Sequence, residues 1–265
     1  MEISNNLALF SLLGAISCFA VAFVTAVIEV RRGSSHHRAI TMTLMGVGFL
    51  LETVYLQYQG NVRGRCPITT LPEIMIFLSW STVLIYFVIG STYRLSLLGV
   101  FTAPVVGLFV VLGLVGGGVG GGIPVASRPA DAWLEFHASV SLVSYGAFAL
   151  ALVAGVMFLV QDSLLKSKSM TALFYNLPPI SYLASAISRL VLVGFVLLSA
   201  GLASAFAIRE FPGWTKISLT LSVWIVYGLI LLVHGRSHLA PKQIAKVSVL
   251  AFLLPLLTLT IMGAR

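Results

Sequence analysis

Histidine is the residue type best able to do chemistry in this chain: five occur among 265 residues, and a neutral imidazole can hold a metal or move a proton near pH 7. His36, His37 and His238 stand in basic stretches, where a solvated polar role accounts for them. His137 and His234 stand at the edges of long apolar runs, and an imidazole there is costly unless paired, hydrated or ligating. No HExxH motif, acidic dyad, Ser/His/Asp set or Gly-Lys-Ser/Thr phosphate loop occurs. The two cysteines, Cys18 and Cys66, form no CxxC pair. Among the acids, Glu29 can pair with Arg31 or Arg32. Glu52 precedes Tyr55, Gln57, Tyr58 and Gln59 on the outer half of a span, a stretch that could line a polar cavity; satisfied polarity within the bundle accounts for it more simply than a proton relay.

The elements that must position these groups follow from composition. The chain is 58% hydrophobic and 9% charged, whereas a soluble domain carries roughly 25% charged residues; it therefore reads as a membrane protein with no room for a separate soluble catalytic domain. A span needs about 20 apolar residues, and eight stretches qualify, approximately 7–30, 39–57, 72–90, 95–115, 136–161, 187–208, 217–234 and 247–263. The fold class is all-α: a polytopic membrane helical bundle of about eight transmembrane helices, forming one integral membrane domain over 1–265. The net charge of +8 reads as orienting charge on the cytoplasmic side rather than as a nucleic-acid footprint.

Nine Lys and Arg residues fall in one set of connections and six in the other, where Glu2, Glu73, Asp131, Glu135 and Glu210 dilute them. The positive-inside rule then places both termini on the periplasmic side, and the opening MEISNN, without a basic leader, reads as an anchor inserted N-out rather than a cleaved signal. In that topology His137 opens the fifth span outside and His234 closes the seventh inside. Roughly 20 helical residues, about 30 Å, separate their levels, so one metal or haem cannot take both. Second ligands would come from Met262 or water near the first, and from His36, His37, His238 or another subunit near the second. Cys18 and Cys66 lie at different depths and are not expected to pair. The six glycines between 116 and 122 read as a flexible connector, and the stretch 162–186, around Pro178 and Pro179, as a segment lying along the interface. Trp80, Trp133, Trp214 and Trp224 fit an interfacial aromatic belt.

Four segments, in order along the chain, resemble the CcsA-type cytochrome c assembly proteins. PITTLPEIMIFLSW (67–80) matches the P-x-S-N-L-x-E-x-x-x-F-L-S-W stretch of that family at Pro67, Leu71, Glu73, Phe77, Leu78, Ser79 and Trp80. HASVSLVSYGAFAL (137–150) resembles its His-V-S-x-x-x-x-S-Y helix, SRLVLVGFVLLSAGLASAFA (188–207) its R-x-x-x-x-G-F-x-x-L-x-x-G-x-x-S-G-A segment, and WTKISLTLSVWIVYGLILLVHGR (214–236) its platform loop and the helix that ends in histidine. The core of the resemblance is about 67–236.

The resemblance implies haem handling in c-type cytochrome assembly, by delivery or presentation. It makes His137 the external axial ligand, His234 an inner-side ligand at a separate site, and Trp214 the remnant of a tryptophan-rich platform. The cofactor implied is haem b, bound transiently and without a covalent link; neutral imidazole ligates haem iron and aromatic faces stack on porphyrin. The partners implied are haem, apocytochrome c and a CcsB-like membrane subunit, with no nucleic acid. Arg63, Arg65 and Arg128 are candidates for the haem propionates. The sequence departs from the ligase branch in two places: the platform W-G-x-x-W-x-W-D-P-K-E is reduced to EFPGWTK, and the ending TLTIMGAR lacks a second external histidine. Those departures place it nearer the HemX/YpjD-like branch, as at most a subunit of a haem–cytochrome c ligase rather than an enzyme by itself. The alternatives are a HemX-like membrane regulator of haem biosynthesis acting through 162–186, and a non-haem small-molecule permease.

Overall fold

The structure is a computed structural model and describes residues 2–32, 35–93, 98–117, 132–167, 179–208, 214–237 and 240–263. In hydrocarbon every backbone N–H and C=O must find its partner within the chain, which leaves helices as the available spanning element for these apolar runs. The described helices are α1 (Glu2–Arg32), α2 (Ser35–Arg63), α3 (Leu71–Tyr93), α4 (Leu98–Val115), α5 (Ala132–Lys166), α6 (Ile180–Ala205), α7 (Trp214–Ser237), α8 (Pro241–Ala251) and α9 (Leu253–Gly263). They supply eight stretches long and apolar enough to cross a membrane, with α8 and α9 sharing the last, Pro241–Ile261.

Proline sets the edges that hydropathy misplaces. α6 begins at Ile180 rather than near 187 because Pro179, at φ −52° and ψ 139°, ends the non-helical approach and the helix starts directly after it. The residues from Ile180 onward therefore belong to a span and not to the interfacial segment expected over 162–186. Asp162–Lys166 likewise close α5, and 168–178 lie outside the described residues. The last span begins at Pro241, where a missing N–H costs nothing in the first turn. It breaks at Phe252 because Pro255 has no N–H to offer the Ala251 carbonyl.

The interior helices are α3 and α5: 72% of the apolar window of each is buried, against 17% for α7, so α7 stands at the rim. α5 lies antiparallel to α6 along their most extensive contact. Gly194 lets α6 approach closely there, since a Cβ on it would meet the Phe148 ring at 2.4 Å; small residues at such crossings are what allow membrane helices to pack. The Phe148 ring is itself stacked on Tyr227 of α7 at 3.5 Å between centroids. Phe10, Leu50, Val88, Leu108, Val196 and Leu250 point outward, a lipid-compatible exterior.

Contacts define the two ends of the bundle. At one end the last turn of α2 meets the start of α3 through Arg63 and Glu73, the loop after α2 meets the start of α5, and the start of α5 meets the end of α6. At the other, Asp162 near the end of α5 pairs with Lys166 at 3.1 Å and with Lys242 of α8 at 2.9 Å.

Candidate functional site

His137 sits five residues into α5, half-buried, with its ring turned toward the last turns of α6. Its Nδ1 lies 2.7 Å from the Gly201 carbonyl oxygen. A carbonyl can only accept, so Nδ1 carries the proton and the neutral ring keeps its lone pair on Nε2. Nε2 makes no hydrogen bond to a described residue. The Ser204 hydroxyl donates to the same carbonyl at 2.6 Å, which ties the acceptor to its own helix. Position 201 is tight: a Cβ there would lie 2.5 Å from the Ser141 hydroxyl, which can swing aside, but a longer side chain would drive into the α5 backbone at Ser141 and His137. A histidine whose far nitrogen donates to a backbone carbonyl while the near one is free has the arrangement of a metal-ligating imidazole, fixed in tautomer and orientation.

The loop before α3 packs on the same turn of α5. The Cys66 N–H donates to Glu135 Oε1 at 3.2 Å, and Cys66 Sγ lies 3.7 Å from Ser139 Oγ. Burial, with a smaller push from the Glu135 carboxylate, raises the Cys66 thiol above its ordinary range, opposed by the Ser139 contact. Of the three arginines considered for propionates, Arg63 is committed to an ion pair with Glu73, which is fully buried. The same carboxylate accepts from Thr69 N and Thr69 Oγ1, each at 3.0 Å, and from Thr70 N at 3.3 Å, closing the first turn of α3 in the manner of a capping box. Arg65 keeps its Nε buried without a hydrogen-bond partner, and Arg128 lies outside the described residues. Trp214 opens α7 at this end and is 78% exposed; Trp133, Phe136 and Phe206 are exposed at the same end.

His234 is held differently. Its Nε2 lies 3.2 Å from Ser188 Oγ, whose own proton goes to the Ala184 carbonyl at 3.1 Å. Nε2 therefore donates, and the lone pair falls on Nδ1, which is buried with no partner. Neither nitrogen faces outward, so ligation by His234 requires its ring to leave Ser188. The two rings are anchored on one helix, at Gly201 and Ser188, thirteen residues or about 20 Å apart. That is nearer than the 30 Å expected, because α5 starts before His137 and α7 continues past His234; one haem iron still cannot take both. Among the described residues no three His, Cys, Asp or Glu side chains converge as a metal cluster. The side chains of Met262, His36 and His37, and all of His238, lie outside what is described.

Residues 68–264 match the Cytochrome C assembly protein family. Protein HemX of Brevibacillus brevis is 28% identical over 81% of this chain and 80% of its own length, and Protein HemX of Bacillus subtilis (strain 168) is 23% identical over 95% and 93%. Cytochrome c biogenesis protein CcsA of Chlamydomonas reinhardtii is 26% identical over 80% of this chain and 63% of its own length. With well over half of its residues matched, from the start of α3 to the end of α9, the chain belongs to the cytochrome c assembly protein family.

Proposed function

We propose that this protein handles haem in c-type cytochrome assembly, as a multi-pass subunit of a bacterial inner membrane that holds haem b transiently at the His137 end. The observation that carries the reading is the imidazole of His137, locked by Gly201 so that Nε2 is left as a ligand lone pair. Bound haem would supply an iron that accepts an imidazole and a flat apolar face. The residues present fit it: Nε2 of His137 for the iron, the orphaned Nε–H of Arg65 for a propionate, and the exposed Trp214 for the porphyrin face. The excess of basic residues at the opposite end orients both termini and His137 toward the periplasm. A second iron ligand would come from Met262, from water or from a partner such as a CcsB-like subunit, and apocytochrome c would receive the haem. His234 is a second, inner ligand that becomes available when its ring turns away from Ser188.

The test is the visible spectrum of the purified protein titrated with haem. A Soret band is expected, abolished by His137→Ala and reduced only in part by His234→Ala. Colourless protein, or equal haem affinity in wild type and His137→Ala, overturns the reading. The likeness to both HemX proteins over most of their length supports a second reading, a membrane regulator of haem biosynthesis. Deleting the gene separates them: loss of c-type cytochromes supports assembly, whereas normal cytochromes with altered tetrapyrrole intermediates support regulation.

A further inference from the structure

Glu52 lies eleven residues before Arg63, about 16 Å along α2 and close to the middle of the span Ala39–Arg63. It is fully buried, and neither carboxyl oxygen has a hydrogen-bond partner among the described residues. Ser79 of α3 lies beside it, but the Ser79 hydroxyl donates its one proton to the Val106 carbonyl at 3.1 Å. What Ser79 can still offer is an acceptor lone pair. A carboxylate cannot use that, because it too only accepts; a carboxylic acid can donate its O–H to it.

Among the described residues, the helices packed against α2 bring no cation to this depth. α1, α3 and α4 pack against α2, and α4 carries no ionisable side chain. Along α1 the titratable side chains described are Cys18 and, nearer the far end, Glu29. α3 brings Glu73, already paired with Arg63 at the His137 end, and Tyr86 toward the other. An isolated carboxylate in such surroundings is prohibitively costly and takes up a proton or a partner instead.

From Glu52 a polar stripe runs along one face of α2 at i, i+3, i+7 and i+11: Tyr55, Gln59 and Arg63. Tyr55 is fully buried and Gln59 is 7% exposed, whereas Arg63 reaches the end of the bundle with its side chain 16% exposed. Gln59 Nε2 donates to the Tyr55 hydroxyl at 3.4 Å. The Tyr55 hydroxyl can both give up and take a proton, and Gln59 and Arg63 continue the polar line from the buried acid to one surface.

We propose that Glu52 is a proton-binding site at the centre of the membrane, exchanging with the His137 end along Tyr55 and Gln59. The ligand is a single proton, and the site stands whether or not the protein handles haem.

The test uses the full chain in phospholipid vesicles. Protonated carboxyls in lipid-like surroundings add across the apolar reagent dicyclohexylcarbodiimide, and the adduct rearranges to an N-acylurea that peptide mass spectrometry locates. Labelling of Glu52, and not of the paired Glu73, is expected in the unaltered protein. Infrared spectra should carry a protonated-acid C=O band that is missing from Glu52→Gln. Its hydrogen–deuterium exchange should slow at least tenfold in Tyr55→Phe with the band intensity unchanged. Absence of both the adduct and the band overturns the proton site. A band whose exchange is equally fast in Tyr55→Phe and Gln59→Leu overturns the route. Glu52→Gln keeps the shape of the neutral acid, and the labelling of wild type requires no variant.

Discussion

Gly201 is the position at which the His137 reading is most exposed to refutation, because it supplies a carbonyl that no side-chain substitution can imitate. In Gly201→Ala the new methyl would lie 2.5 Å from Ser141 Oγ but 3.4 Å from Ser141 N and 3.6 Å from the His137 carbonyl. Only a hydroxyl has to swing aside, and the helix gains about 1 kcal/mol of propensity. Alanine should therefore leave the 2.7 Å bond to Nδ1 intact, with stability equal to wild type or slightly higher. Gly201→Leu extends the side chain into the α5 backbone between His137 and Ser141, so α6 must move away from α5. Overpacking of this kind costs about 1–3 kcal/mol, and the carbonyl leaves the ring. Disturbing the second partner of a ligating histidine costs about 10–100-fold in metal affinity, or about 1.4–2.7 kcal/mol. The assay is a Soret titration of both variants in detergent, beside thermal unfolding of each. A folded Gly201→Leu protein that binds haem as wild type does, while His137→Ala does not, would refute the claim that Gly201 orients the ligand. Gly201→Ala behaving as badly as leucine would refute the packing argument.

Other perturbations test the frame around the site. Gly194→Ala drives a methyl to 2.4 Å from a Phe148 ring already stacked on Tyr227, and should lower stability by about 1–3 kcal/mol in thermal unfolding. Gly235→Ala, with open space around it, should be neutral or gain up to about 1 kcal/mol. Removing the carboxylate in Glu73→Ala strands Arg63 and uncaps α3; the expected loss is about 3 kcal/mol, the lower edge for a broken buried pair because Arg63 is partly exposed. Cys66, its thiol raised by burial, should react with a maleimide more slowly than a free cysteine peptide in the neutral range. The native state then holds the thiol proton more tightly than the unfolded chain does. The associated stability is fully present below the ordinary thiol range and is lost as pH rises from there through the raised native value; equal alkylation rates in folded and denatured protein would contradict this.

How much of this was open to a reader of the residues depended on the range of the interaction involved. Spanning helices answer to local composition, so the eight apolar runs stood out, and so did the two histidines at their edges. Where the expected edges shifted, Pro179, Pro241 and Pro255 marked the true ones, a local signal that hydropathy averages away. The capping of α3 was equally local: Thr70 and Glu73 stand at the spacing of a capping box, and the Glu73 carboxylate accepts the Thr70 N–H while pairing with Arg63. The partners of the histidines were not legible in this way. Gly201 is 64 residues from His137, and Ser188 is 46 from His234. A backbone carbonyl also carries no label in a sequence. The nearest available sign was the small-residue face of α6, with Gly194, Gly201 and Ser204 at helical spacing. That spacing marks a close approach without saying which ring it receives. From sequence the two histidines are alike, each a polar residue near a span end. Their difference lies in which nitrogen the neighbouring helix takes: a carbonyl takes the proton of Nδ1 and leaves Nε2 of His137 to a ligand, whereas a hydroxyl already spent on Ala184 takes Nε2 of His234 and leaves its lone pair sealed. A one-nitrogen change of partner therefore separates an imidazole whose lone pair is open from one whose lone pair is closed off until the ring leaves Ser188.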